Sequence, residues 1–250
     1  MPSFTSSGGQ QFTGSAVTYE AVILAAGLGS RLGRPHPKPL TPLASGQSIM
    51  RQQVENLRSR LGQGLRISAV VGFKLHMIVE ANPDIGFVYN EAYDVTNTSA
   101  SLRKALELTG DAGILWLNGD VVFDAALIDD VRGMLESGKS FVCVNTESVA
   151  DEEIKYTLDK DGYIADLSKT VTGGLGEAVG INYVGPRDKA TVLAGLARCA
   201  DQDYFERGLE IAIAESDLRL RPIDISRHVC IEVDMQEDLE RANSLIQHGA

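Results

Sequence analysis

Leu24-Ala25-Ala26-Gly27-Leu28-Gly29-Ser30-Arg31, followed after a short gap by Pro37-Lys38-Pro39-Leu40, is the stretch on which the fold turns. Its upstream half, Ala21-Val22-Ile23-Leu24-Ala25-Ala26, is an unbroken apolar run stopped by glycine. That is the pattern of a strand buried on both faces of a parallel sheet. The glycines then let the backbone approach a ligand closely, and exposed N–H groups in such a loop form a nest for anions. Open α/β sheets bind ligands at this carboxyl end of their strands. Arg31 adds a forked donor suited to phosphate, and Lys38 a mobile point charge. The glycines at 27, 29 and 33 are one residue too widely spaced for a G-x-G-x-x-G dinucleotide turn, and no acidic residue ends a second strand at the expected place. A nucleoside-triphosphate site is therefore favoured over a dinucleotide site, with a structural glycine turn as the plain alternative.

Outward from this loop, strands and helices alternate. Ser48 to Leu61 has helical spacing, Arg66 to Val71 reads as a strand, Lys74 to Glu80 as a short helix and Gly86 to Tyr89 as a third strand. Ser99 to Leu108 reads as a helix and Ala112 to Leu117 as a fourth strand closed by Asn118-Gly119-Asp120. This rhythm indicates a parallel sheet with helices on both faces. The second half changes. Phe141 to Asn145, Ile154 to Leu158, Tyr163 to Leu167 and Ala178 to Val184 read as strands with little helix between, and Asp159-Lys160-Asp161-Gly162 as a hairpin turn. Helices return at 187–197, 204–214 and 236–246. The expected organisation is a polar, disordered tail over 1–18 and a single domain over 19–250.

Composition sets the partners. The chain has 250 residues and a net charge of −11. So acidic a surface repels nucleic-acid backbones and anionic membranes. The sequence has no apolar run long enough to span a bilayer and no secretory signal at its start. Cys143, Cys199 and Cys230 are odd in number and far apart, as expected of core residues in a reducing compartment. A cytoplasmic protein is expected.

Other motifs are weighed against plainer readings. Asp120 ends a buried strand, where a carboxylate is costly unless paired or ligated, although an Asp there can also cap the following helix. Asp234 ends another strand and is subject to the same two readings. Gly133-Met134-Leu135-Glu136-Ser137-Gly138-Lys139-Ser140 fits G-x-x-x-x-G-K-S letter for letter. A phosphate loop of that kind needs strand, loop, helix in that order. Here a helix over 125–136 precedes and a strand follows, so Gly138 is better read as a helix end. His36, His76, His228 and His248 lack metal-ligand spacing, and no nucleophile elbow is present.

With its L-A-A-G-x-G-x-R…P-K-P-L signature, the chain resembles the sugar-phosphate nucleotidyltransferase superfamily from Glu20 to Ile246. It is most similar to the phosphocholine cytidylyltransferase-like branch, through Tyr89-Asn90, Thr96 to Leu102, Asp151 to Lys155, Gly176 to Ile181 and Ile231-Glu232-Val233-Asp234. The resemblance implies a Rossmann-like, mostly parallel sheet with an antiparallel β extension on the acceptor side. It implies condensation of a nucleoside triphosphate, CTP by preference, with a phosphate or phosphonate monoester, releasing pyrophosphate. Phosphocholine-like, aminoalkylphosphonate, polyol and sugar phosphates all remain open as acceptors. The one tryptophan, Trp116, falls in a core strand, so no aromatic cage for choline is evident. Sugar-1-phosphate uridylyl-, thymidylyl- or guanylyltransfer is the alternative, and a non-catalytic nucleotide-binding module a more distant one. Homo-oligomerisation is left open.

The resemblance also assigns residues. Leu24, Ala25, Ala26, Gly27, Gly29, Ser30, Arg31 and Lys38 would bind the triphosphate. Asn97 and Ser101 would form the base-side wall, and Asn118 and Gly119 would also bind the nucleotide. Arg31, Lys38 and Asp120 would be catalytic, and Asp120 and Asp234 would hold Mg²⁺. On the acceptor side it points to Lys155, Lys169, Glu177 and Gly180.

Overall fold

The computed structural model describes residues 18–29, 33–147 and 153–248. The expected tail, apart from Thr18, and Ser30, Arg31, Asp151 and Glu152 lie outside the described residues. In chain order the strands are β1 (Tyr19–Ala25), β2 (Ile67–Val71), β3 (Gly86–Tyr89), β4 (Gly113–Asn118), β5 (Val121–Phe123), β6 (Phe141–Asn145), β7 (Lys155–Leu158), β8 (Ile164–Ser168), β9 (Glu177–Val184), β10 (Arg221–Asp224) and β11 (Cys230–Glu232). The helices are α1 (Ile49–Leu61), α2 (Leu75–Ala81), α3 (Thr98–Leu108), α4 (Leu127–Ser137), α5 (Lys189–Leu196), α6 (Phe205–Ser216) and α7 (Gln236–His248).

The central sheet runs β10-β6-β9-β4-β1-β2-β3, with the β7–β8 hairpin joined to β9. β9 alone among these seven runs against its neighbours, β4 and β6. This is the mostly parallel, Rossmann-like architecture expected. The antiparallel element is more deeply built in than an added flap: β9 is a full member of the sheet, and β7 hooks onto its start through Lys155 opposite Glu177. Two short strands went unanticipated. β5 follows β4 with only Gly119 and Asp120 between and reads as part of the same turn, and β10 is an edge strand whose residues are only partly covered.

The apolar run of β1 is continuous because both its faces are covered. Ala21, Ile23 and Ala25 point into one core, and Val22, Leu24 and Ala26 into the other. α1 and α4 cover the first face through Met50, Val54, Leu57, Ile128 and Val131. α3, α5 and α6 cover the second through Leu102, Val192, Phe205 and Leu209. A third, smaller core under α7 joins Val122 of β5 to Ile231 and Val233 beside it and to Leu239 and Ala242. No described helix is long and apolar enough to cross a membrane.

The G-x-x-x-x-G-K-S match is settled by element order. α4 ends at Ser137, and Gly138 adopts φ 66°, the left-handed conformation that closes a helix. The N–H groups of Gly138 and Lys139 donate to Leu135 and Met134 carbonyls at 3.1 Å, so they satisfy helix ends. β6 then leaves in the same direction as β4, which puts Lys139 at the amino end of the sheet. Lys139→Ala is expected to leave nucleotide binding and turnover within about threefold of wild type, as for surface changes remote from a site. A hundredfold loss in a pyrophosphate-release assay would contradict this.

Candidate active site

At the carboxyl ends of β1 and β4 a cleft of about 470 Å³ opens. Its floor comes from the chain reversals that the apolar strands force. β1 ends in the loop of Gly27 and Gly29, and β4 ends in Asn118-Gly119-Asp120. The Gly119 N–H donates to the Leu24 carbonyl at 2.9 Å, locking the two strand ends together. Lys38 heads a short helical turn, Lys38–Leu40, set by prolines on either side of it. Gly29 packs directly against it: a Cβ at this position would come within 2.9 Å of the Lys38 Cβ, and Gly29 has φ 58°, so only glycine fits both constraints.

Asp120 is fixed from three sides. The buried Gln53 of α1 donates through Nε2 to the carbonyls of Asn118 (2.8 Å) and Val121 (2.7 Å), clamping the turn that carries Asp120. β11 pairs antiparallel with β5, placing Glu232 opposite Val121. One residue on, the Val233 N–H donates to the Asp120 carbonyl at 2.9 Å. This brings Asp120, Glu232 and Asp234 together, each offering a carboxylate oxygen within 4.8 Å of the others. Asp238, in the first turn of α7, accepts from the N–H groups of Asp234 (3.1 Å) and Met235 (2.8 Å) and so fixes the other flank.

Lys38 answers this concentration of charge. Its Nζ donates to Asp120 Oδ2 at 2.6 Å and to Asp234 Oδ1. Burial opposes its charge, but the two carboxylates outweigh burial and raise its pKa. For Glu232, burial first, then the charges of Asp120 and Asp234, push the carboxyl well above its usual range. Asp120 keeps its second oxygen, Oδ1, buried and without a partner. Three hard oxygen donors, one of them orphaned, fit a divalent cation with oxygen preference. Glu232 carried no assigned role in the sequence: a glutamate between Ile231 and Val233 looks like the exposed position of an alternating strand until β5 is known to pair with it.

The far wall belongs to α6. Phe205 packs edge-on against Trp116 of β4, with ring centroids 5.5 Å apart, and its N–H donates to Thr98 Oγ1 at 3.0 Å. Asn97 caps α3, accepting from the Thr98 N–H at 2.8 Å, while its own N–H donates to the Asp201 carbonyl. These bonds set Tyr204 and Glu206, either side of Phe205, on the cleft. Lys169, just past β8, lies on the same side with Nζ 5.2 Å from the Tyr204 ring centroid. Glu206 is buried, and its pKa is pushed up to about 7: burial outweighs its own backbone N–H and the nearby Lys169 charge.

The sequence-derived residues therefore separate into groups. Leu24, Ala25, Gly27, Gly29, Lys38, Asn97, Asn118, Gly119, Asp120, Lys169, Gly180 and Asp234 border one cleft. Ala26 is buried beneath the loop. Ser101 is placed elsewhere: it is buried, and its hydroxyl accepts from Asn90 Nδ2 at 3.1 Å, because the fourth residue after the α3 cap turns inward. Lys155 and Glu177 face each other across β7 and β9, away from the cleft lining.

Comparison with known proteins places this geometry. Residues 21–157 match the MobA-like NTP transferase domain. The chain is 34% identical, over 92% of its length, to a CMP-5'-(3-aminopropyl)phosphonate synthase from Streptomyces rubellomurinus, and spans 39% of that protein's length. Among solved structures it is similar to a CTP:phosphocholine cytidylyltransferase from Streptococcus pneumoniae, with a TM-score of 0.72 at 17% identity, covering 92% of this chain and 100% of that one. It is also similar to an inositol-1-phosphate CTP transferase from T. maritima, with a TM-score of 0.74 at 15% identity, covering 94% and 98%. At those identities the solved structures speak for the fold alone. The family match takes in more than half of the residues, and the chain belongs to the MobA-like NTP transferase family.

Proposed function

We propose that this protein transfers a cytidylyl group from CTP to a small phosphonate or phosphate monoester. The observation that carries the reading is the meeting, in one cleft, of a glycine-rich strand-end loop, Lys38 and three carboxylates brought together from widely separated stretches of the chain. The choice of CTP and of a phosphonate draws support from the 34% identical relative.

An acceptor oxygen attacks the α-phosphorus, the bond to the bridging oxygen breaks, and pyrophosphate departs with the electron pair. Such a transfer asks a protein for alignment and for positive charge where negative charge develops. The loop N–H groups at Gly27 and Gly29 cradle the triphosphate, with Arg31, outside the described residues, joining them. Lys38 neutralises Asp120 and Asp234 in the free protein and lies close enough to the loop to face phosphate oxygens. Asn97 stands at the base-side wall. Lys169 holds the incoming phosphonate. Asp120, Glu232 and Asp234 would hold Mg²⁺, which when bound supplies positive charge at the α-phosphate. Gln53 and Asp238 act only on the carboxylates' placement.

A pyrophosphate-release screen crossing four nucleoside triphosphates with aminoalkylphosphonates, phosphocholine, inositol phosphate and sugar 1-phosphates tests the assignment. CTP with a phosphonate should exceed every other pairing by tenfold or more. EDTA should abolish that turnover and Mg²⁺ restore it, and full activity in EDTA would remove the acidic cluster from its role.

Lys38 and Lys169 should separate by substrate. A charge-assisted contact to phosphate contributes about 1.5–3 kcal/mol. Lys38→Ala should weaken CTP binding or slow pyrophosphate departure by at least tenfold. Lys169→Ala should raise the acceptor KM or lower kcat by a similar factor while calorimetric CTP binding stays near wild type. Loss of CTP binding in Lys169→Ala, with circular dichroism unchanged, would overturn the placement of the acceptor.

A further inference from the structure

Glu206 has no task in the transfer chemistry, yet it is one of few buried acids in the fold. It is the second residue of α6, only 7% exposed, and its Oε2 is buried without a hydrogen-bond partner. A carboxylate so placed is costly unless something answers its charge. It borders the cleft on the wall facing the acidic cluster, and it is not among the carboxylates engaged by Lys38.

Beside it, Tyr204 lines the cleft and is 43% exposed, so its ring is open to a ligand. One cation already uses this ring: the Lys169 ammonium stands 5.2 Å from its centroid. An aromatic face and a buried carboxylate, two residues apart and held by the Phe205–Trp116 contact, form a corner that attracts positive charge. Lys169 is a partial occupant: its charge reaches Glu206, but Oε2 keeps no hydrogen-bond partner.

We infer that the Tyr204–Glu206 corner is a subsite for an ammonium group at the far end of the acceptor, so that the enzyme selects amine-bearing phosphonates. The inference rests on the cytidylyl-transfer reading and deepens it. The acceptor's two ends would divide the wall between them, with its ammonium over Tyr204 and against Glu206 and its phosphonate drawing on Lys169. The raised pKa of Glu206 fits a carboxyl that waits for a cation, since an ammonium beside it favours the ionised form.

The test is a ratio. kcat/KM is measured with CTP for 3-aminopropylphosphonate and for propylphosphonate, which differ only in the amine. The wild type should favour the amine by tenfold or more. Glu206→Gln, which keeps the shape and removes the charge, should bring the ratio to within about threefold of unity. Tyr204→Leu, a change at an exposed position that does not threaten folding, should lower the ratio several-fold and decides the matter if Glu206→Gln fails to fold. A wild-type ratio near one overturns the inference. So does a ratio unmoved by either substitution, or an equal loss with both acceptors, which would mark Glu206 as a support for Lys169. In each of those cases the cytidylyl-transfer reading survives. Absence of turnover with every acceptor, in a protein that binds CTP by calorimetry, overturns that reading and the inference with it.

Discussion

The candidate site depends on one short piece of backbone pairing. β11 lies antiparallel to β5, and the Val233 N–H reaches the Asp120 carbonyl just beyond their last paired residues. Without it, Asp120 would end a strand with Lys38 as its ion-pair partner and no second carboxylate beside it, and Glu232 and Asp234 would belong to an ordinary surface turn. With it, three negative charges share a space in which at least one must be neutralised or protonated. Lys38 supplies the neutralisation, while burial first and the neighbouring carboxylates second hold the Glu232 carboxyl well above its usual range. Much of the surrounding design serves this pairing: Gln53 clamps the turn, Asp238 secures the far flank, and the third core under α7 seals the back.

How much of this could be read in advance follows from how local each signal is. β1, β2 and β4 are buried on both faces, so their apolar runs announce them, and the glycines and Lys38 sit at fixed distances from such a run. β5 escapes notice because its three residues follow Gly119 and Asp120 without a break in composition. Once β5 is missing, the burial of Glu232 is invisible, for it depends on a strand that pairs from far along the chain. Ser101 lies off the cleft for a different reason. Asn97 and Ser101 lie four apart and nominally share a face of α3, but Asn97 is the cap, with extended backbone, so helical phase starts only at Thr98. Glu206 sends no signal in the sequence, because a glutamate in the first turn of a helix is what helix electrostatics favour anyway.

The family match stops at residue 157. Inside it lie the glycine loop, Lys38, Asn97 and Asp120. Outside it lie Lys169, Gly180, Glu206, Glu232 and Asp234. The matched part thus carries the loop and one carboxylate, and the remainder brings in the α6 wall and two of the three carboxylates, so the two sides of the cleft are supplied by different stretches of chain.

The β5–β11 ladder has a consequence for the order in which the molecule comes together. Its partners are separated by about 110 residues, and closing a loop of that length is repaid only by contacts made late. The glycine loop and the Asn118-Gly119-Asp120 turn are joined by the β1–β4 pairing, whose partners lie about as far apart but all precede β5 in the chain. A chain still emerging from synthesis can thus hold a phosphate-sized cradle well before it owns its acidic cluster. Glu232 and Asp234 join Asp120 only once β11 has found β5, so the three carboxylates meet after the cradle's own strands have paired.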